Sequence, residues 1–128
     1  MQKERSSHRR LNGRHGLLKD CELSNANLEN ANLSGANLES ANLWFANLQG
    51  AVLQVTSLRN AWLEAANLKG ADLWQSSLEN ARLKNALFSE TTILPDGSKW
   101  TPDVDLQCFT KSDHPDFWQP VWVRERTD

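Results

Sequence analysis

Leucine occupies every fifth position through the middle of the chain. Leu18 precedes the series, and Phe88 and Ile93 continue its register. A small residue, usually alanine, stands two positions before each leucine, and the position between them is usually Asn or Asp. The thirteen leucines of the uninterrupted series are Leu23, Leu28, Leu33, Leu38, Leu43, Leu48, Leu53, Leu58, Leu63, Leu68, Leu73, Leu78 and Leu83.

A period of five fits neither a single helix nor a single long strand. In an α-helix a step of five residues turns a side chain by about 140°, so the leucines would be spread around the helix axis. A coiled coil needs spacings of three and four. In a strand an odd spacing sends successive leucines to opposite faces. The repeat therefore predicts a chain that changes direction within every five residues.

Each five-residue unit is well explained as a very short strand followed by a corner. The alanine and the leucine are two positions apart and point to the same side of an extended segment. The fifth residue must reset the direction, and Gly and Asn, which tolerate positive φ, are typical of such turns. One unit buries too little surface to be stable alone, so stacked units in a solenoid are predicted. Gly or Asn fills the corner in eight of the thirteen units: Asn25, Asn30, Gly35, Gly50, Asn60, Gly70, Asn80 and Asn85.

The units at residues 31–35 and 36–40, Ala-Asn-Leu-Ser-Gly and Ala-Asn-Leu-Glu-Ser, resemble the repeats of the pentapeptide-repeat family. The resemblance covers roughly residues 16–95. It implies an all-β fold, a right-handed quadrilateral parallel β-helix of about four coils. Four pentapeptides would make each coil, so residues twenty apart would stack. The thirteen leucines and Phe88 would form the structural core, with Ile93 stacked on Leu73.

Three segments are predicted along the chain. Residues 1–15 form a basic N-terminal arm, residues 16–94 the β-helix, and residues 95–128 a C-terminal capping tail with short helices. The Thr101-Pro102 pair predicts a helix over residues 102–109, residues 113–116 suggest another helical turn, and residues 119–124 look extended. The residues from Ile93 to Trp100 resemble the segment that follows the repeats in cyanobacterial members of the family. Five aromatic residues in the tail argue against disorder.

Outward positions of the repeats carry large apolar residues that are candidates for partner binding. Trp44, Phe45 and Trp62 fall on the face that carries Leu43 and Leu63. Val52 and Trp74 fall on the opposite face, with Val55 at an adjoining corner. Exposed aromatic clusters often mark contact surfaces, and the alternative is that the tail of the same chain covers them. Contact with a partner on one patch and packing of the tail on the other is a third possibility.

Candidate chemistry is sparse. His8, His15 and His114 lack metal-ligand spacing with one another or with Cys21 and Cys108, and Asp103 with Asp105 lacks the other ligands of a calcium loop. We therefore expect no enzyme activity, no cofactor, no metal and no small-molecule substrate. The cysteines lack a CxxC spacing, so two thiols are favoured over a disulfide. The absence of a long apolar run and of a signal sequence favours a cytoplasmic location without a membrane span.

These patterns leave two functional hypotheses. The first is a protein–protein interaction or structural scaffold module, with a homodimer possible. The second, implied by the family resemblance, is a DNA mimic that binds a type II topoisomerase. Seven acids of residues 21–90 are partly offset by four bases, which weakens the mimicry. Six bases stand against one acid in residues 1–19, so the arm offers an additional, less favoured route to nucleic acid or a membrane surface.

Overall fold

The computed structural model describes residues 18–125. Two short helices lie in the tail, α1 at Gln107–Thr110 and α2 at Val121–Glu125. The repeats pair through single bridged residues, one on each side of a four-sided coil, and not through longer strands. The basic arm, residues 1–15, lies outside the described residues, and Leu18, the first described residue, is buried.

Parallel pairing of residues twenty apart builds the coils. The bridges Glu22–Asn42 and Asn42–Trp62 lie on one side of the coil, and three further sides repeat the same spacing. From Leu23 to Leu73 each leucine N–H donates to the next coil, as in Leu23 N–H to the Asn42 carbonyl at 2.7 Å, while the Asn42 N–H donates back to the Cys21 carbonyl at 2.9 Å. Because every coil both donates and accepts, the backbone polar groups of the narrow tower are satisfied from coil to coil.

The Asn or Asp before the leucine has a structural role in the turn. Its side-chain oxygen accepts the backbone N–H two residues later, as in Asn42 Oδ1 with Trp44 N–H at 3.0 Å. This Asx-type bond pairs an N–H at the start of the turn. The residues that accept in this way are Asn27, Asn32, Asn37, Asn42, Asn47, Asn67 and Asp72.

Every corner residue from Asp20 to Asn85 has a positive φ, as the repeat predicts. Glycine and asparagine accept this left-handed conformation readily, but bulkier residues occupy it at a cost. Two bulky apolar residues do so here, Phe45 with φ 60° and the β-branched Val55 with φ 56°. The stack of hydrogen bonds above and below holds these two corners in an unfavourable conformation.

The leucine columns and their alanines fill the interior. Leu28 to Leu78 are at most 3% exposed, and Leu23, Leu83 and Phe88 are half-buried at the two ends of the stack. The predicted column of Leu33, Leu53, Leu73 and Ile93 is wrong at its last member. Asp72 pairs with Ile93, twenty-one residues on, so Ile93 takes the outward bridge position and Leu94 is buried under Leu73.

A one-residue insertion after Phe88 produces this shift. Thr92 takes the inner slot that alanine fills elsewhere and is fully buried. Its Oγ1 donates to the Leu68 carbonyl at 2.9 Å and accepts the Gly70 and Ser89 N–H groups at 3.1 Å. The Thr92 hydroxyl, at the inward position that alanine fills elsewhere, thus accommodates the extra residue by hydrogen bonding to the backbone of the preceding coil.

The tail caps the C-terminal end of the stack. Residues 93 and 99 form an antiparallel bridge, and Trp100 stacks on Phe88 with ring centroids 5.9 Å apart. Phe109 of α1 is buried against the core, and the Thr110 carbonyl accepts the Asn80 N–H at 2.7 Å. The backbone of the tail therefore replaces a further coil at this corner, which shields an otherwise open edge.

Beyond α1 the tail turns onto one wall of the coil. The Trp122 indole N–H donates to the Gln75 carbonyl at 2.8 Å, and Val123 is buried. Ser57 and Ser77, outward residues of one wall, are also buried, whereas the outward residues of the other walls are larger and more exposed. Trp122 lines a small groove on this wall with Ser57. Small side chains here leave room for α2.

Three predictions for the tail are wrong in detail. The helix over residues 102–109 is only the single turn of α1, because residues 102–106 are turns and irregular backbone, and Thr101 does not cap it. Residues 113–116 form turns, and residues 119–124 are not extended because α2 begins at Val121. Burial of the aromatic residues overrides the local helix-start signal at Thr101-Pro102.

Leu63→Ala tests the interior. Leu63 is fully buried in the third coil, and its truncation leaves a cavity between two leucine layers. We expect a loss of about 2–5 kcal/mol in the free energy of unfolding, measured by chemical denaturation. Leu83→Ala, at the half-buried end of the same column, is the matched control and should cost less. Equal losses at both positions would contradict the layered core.

Val55→Asn tests the strained corner. Asparagine accepts the left-handed conformation that valine resists, so we expect a gain of about 1 kcal/mol in the free energy of unfolding. The reverse exchange at a neighbouring exposed corner, Asn60→Val with φ 61°, should lose about 1–2 kcal/mol. Denaturation curves of both variants provide the measurement, and the idea fails if the two changes have the same sign.

Trp122→Phe tests how the tail is held. The phenyl ring keeps most of the packing but loses the hydrogen bond to Gln75, which is worth roughly 0.5–1.5 kcal/mol. We expect faster tryptic cleavage after the exposed Lys111 without a change in the folded repeats. Trp44→Phe, in a groove that no described tail residue lines, is the control and should leave the cleavage rate unchanged.

Candidate partner-binding surfaces

One wall of the coil exposes three aromatic residues in two successive coils. Trp44 is 48% exposed, Phe45 52% and Trp62 46%. Trp44 and Phe45 contact each other edge to face with centroids 4.7 Å apart. We name this set the aromatic face. The described part of the tail does not contribute to the groove between its two tryptophans, so the aromatic face remains open to solvent.

Polar and charged side chains also line the groove on the aromatic face. Asn42, Trp44, Trp62, Glu64 and Arg82 line it around a volume of about 530 Å³. The Arg82 Nε lies 2.8 Å from Glu64 Oε2, and the guanidinium lies 5.1 Å from the centre of the Trp62 ring. The ion pair and the cation–π contact hold the Arg82 side chain along the wall.

Two members of the aromatic face stand where the fold favours other residues. Phe45 occupies a left-handed corner that suits Gly or Asn. Trp62 stands at the repeat position equivalent to Asn42, whose side chain accepts the Trp44 N–H. The turn after Trp62 lacks such a side-chain hydrogen bond. Each residue departs from the local preference of the coil and is about half exposed, although Phe45 contacts the Trp44 ring and Trp62 contacts the Arg82 guanidinium.

The opposite patch is shared with the tail. Val52 is half-buried, and Trp74 is 45% exposed. The Trp74 indole lies against Gly97, where an added Cβ would sit 3.5 Å from Cδ1. Val55 lines the small groove that contains Trp122. The tail therefore packs beside this patch, whereas Trp44, Phe45 and Trp62 face away from it.

The histidine of the described residues takes part in the turns of the tail. His8 and His15 lie outside the described residues. His114 contacts Asp105, with Nε2 3.0 Å from Oδ2, and its Nδ1 accepts the Asp116 N–H at 2.9 Å. The Gln107 N–H and then His114 hold the pKa of Asp105 below its ordinary value. These bonds organise the turn around α1.

Neither of the two cysteines forms a disulfide, and both are half-buried. Partial burial, followed by the nearby carboxylates of Asp105, Asp96 and Asp116, raises the pKa of the Cys108 thiol, which reduces its reactivity at neutral pH. Within residues 18–125 no three His, Cys, Asp or Glu side chains come together as a metal site. Nor is any helix there long and apolar enough to cross a bilayer.

Solved structures with the same repeat resemble this chain. A pentapeptide-repeat protein, Rfr23, from the cyanobacterium Cyanothece 51142 is 44% identical over 60% of this chain, with a TM-score of 0.60. The match spans about half of that protein, 52% of its length. The pentapeptide-repeat protein alr5209 from Nostoc PCC 7120 is 28% identical, with a TM-score of 0.67 over 83% of this chain and 92% of its own. Among curated proteins no sequence matches significantly.

The family model for pentapeptide repeats matches eight copies, at residues 17–54 and 56–93, which is more than half of the chain. The two solved relatives contain the same repeat, and the right-handed quadrilateral β-helix expected from the sequence is confirmed. Repeat, coil and relatives agree, and the chain belongs to the pentapeptide-repeat family.

Proposed function

We propose that this protein is a non-catalytic interaction module that recognises a protein partner through the aromatic face of Trp44, Phe45 and Trp62. The supporting observation is that Phe45 and Trp62 are exposed at positions where the coil favours Gly or Asn and a side-chain hydrogen-bond acceptor, respectively. Aromatic residues are the side chains that most often dominate the energy of protein interfaces. A rigid coil presents them without a loss of backbone entropy on binding.

Exposure also separates the aromatic face from the patch of Val52 and Trp74. The tail packs beside that second patch through Gly97 and Trp122, so its apolar residues have a role within the chain. The proposal therefore gives the two patches different tasks, with partner contact on one and support of the tail on the other.

The DNA-mimic alternative has less support from the described surface. Mimicry of duplex DNA requires dense, unpaired negative charge. Here Arg82 pairs with Glu64, and Arg59 lies 3.4 Å from Glu79. Two of the outward carboxylates are thereby neutralised, and the aromatic face interrupts the acidic surface.

A triple variant tests the proposal. Trp44→Ser, Phe45→Ser and Trp62→Ser together remove the aromatic face but leave the buried leucines intact. We expect a partner captured by the intact protein from a lysate of its own organism to be lost, because about half of each aromatic side chain is available for contact. Quantitative affinity capture followed by mass spectrometry is the measurement.

Trp74→Ser is the matched control, since Trp74 is equally exposed on the opposite patch. It should retain the partner, and circular dichroism should show the same β-type spectrum for all three proteins. Equal capture by the triple variant and the intact protein would refute the proposal. A monomer–dimer shift that disappears in the triple variant would instead assign the aromatic face to contact between two copies of this chain.

A further inference from the structure

A second groove continues from the aromatic face toward the C-terminal cap. It encloses about 630 Å³ between the last coil and α1, and its lining includes Lys84, Leu106 and Lys111. Glu64 and Arg82 line both this groove and the one between Trp44 and Trp62. The two grooves therefore form one trough, aromatic at one end and basic at the other.

The charge of the trough is opposite to that of the chain as a whole. The net charge of the chain is −2, whereas Arg82, Lys84 and Lys111 face the single carboxylate of Glu64 along the trough. Glu64 is paired with Arg82. Lys84 and Lys111 are exposed, and neither forms an ion pair with another described residue. Two cations at the basic end are thus available to an acidic partner.

The register of the coils sets the distance between the two ends. Trp44, Glu64 and Lys84 are twenty residues apart and stand in successive coils, as do the bridged residues beside them. Neighbouring strands of a sheet lie about 4.8 Å apart, so Trp44 and Lys84 are separated by roughly 10 Å along the axis of the coil. An extended peptide covers this distance in about three residues, at about 3.3 Å for each.

We propose that the trough binds an extended segment of a partner protein in which a large apolar side chain lies about three residues from a cluster of acidic residues. The apolar side chain packs on Trp44 and Trp62, and the carboxylates reach Lys84 and Lys111. The segment runs parallel to the axis of the coil and crosses successive coils, so it recognises side chains and does not add a strand. This inference rests on the proposed function and specifies the chemistry of its partner.

A peptide fits the trough better than single-stranded nucleic acid does. Aromatic residues and cations also serve to bind nucleic acid, but Glu64 lies between Trp62 and Lys84 and would oppose a continuous phosphate backbone. A peptide can place its uncharged part over the Glu64–Arg82 pair and its acids beyond it.

The probes are two fluorescein-labelled peptides, one with a tryptophan, two serines and three glutamates, and the other with the reverse order. Anisotropy titrations use the full chain at low and moderate salt. We expect one order to bind, with affinity falling as salt rises, and the double charge reversal Lys84→Glu with Lys111→Glu to weaken it at least tenfold. Lys69→Glu reverses one charge at an exposed position on another wall and should have no effect.

Several results would overturn the inference. These are no binding of either peptide at millimolar concentration, equal binding by the charge-reversed and intact proteins, or tighter binding of oligothymidine than of both peptides. An exchange of the glutamates for lysines should restore binding to the charge-reversed protein. If a captured partner depends on the aromatic face but not on Lys84 and Lys111, the proposed function stands and this inference fails.

Discussion

The left-handed corner at every fifth residue is the constraint on which the rest of the coil depends. It turns the chain after each alanine–leucine pair, and it lets four pairs point inward in one coil. The inward leucines then stack at a spacing fixed by backbone hydrogen bonds between coils. The same corner explains the Asn and Gly at the fifth position and, with the Asx bond, the Asn before the leucine. Core, ladder and turn thus depend on one another.

Because of this dependence, the fold can be predicted from the sequence. A leucine every fifth residue excludes a helix and a strand, and the small residue before it identifies the inner side. The columns of Leu43 and Leu63 and the opposite placement of Trp62 and Trp74 follow from the count of twenty residues for each coil. The expected fold needed no information beyond the repeat and its resemblance to a known family.

The pattern fails where the period ends. Leu94, not Ile93, enters the core because an extra residue precedes Thr92. The Thr92 hydroxyl accommodates this extra residue through hydrogen bonds to residues far away in the sequence. The helices of the tail follow its aromatic contacts with the stack and not its local propensities. A partial signal for the path of the tail was present in Ser57 and Ser77, small outward residues on one wall, whose significance emerges only when both lie under the tail.

In a strict repeat, a residue that departs from the pattern is more informative than it would be in an irregular protein. In most folds an exposed tryptophan is one surface residue among many. Here two outward positions of each unit, the one before the leucine and the corner, have a preferred occupant with a known task, so its replacement has an identifiable cost. Val55 recovers part of that cost beside Trp122 of the tail. Phe45 and Trp62 have no such contact with the described tail, and they adjoin a trough whose cations exceed its carboxylates. We propose that the local preference given up at these two positions is offset outside the chain, in the complex with a partner.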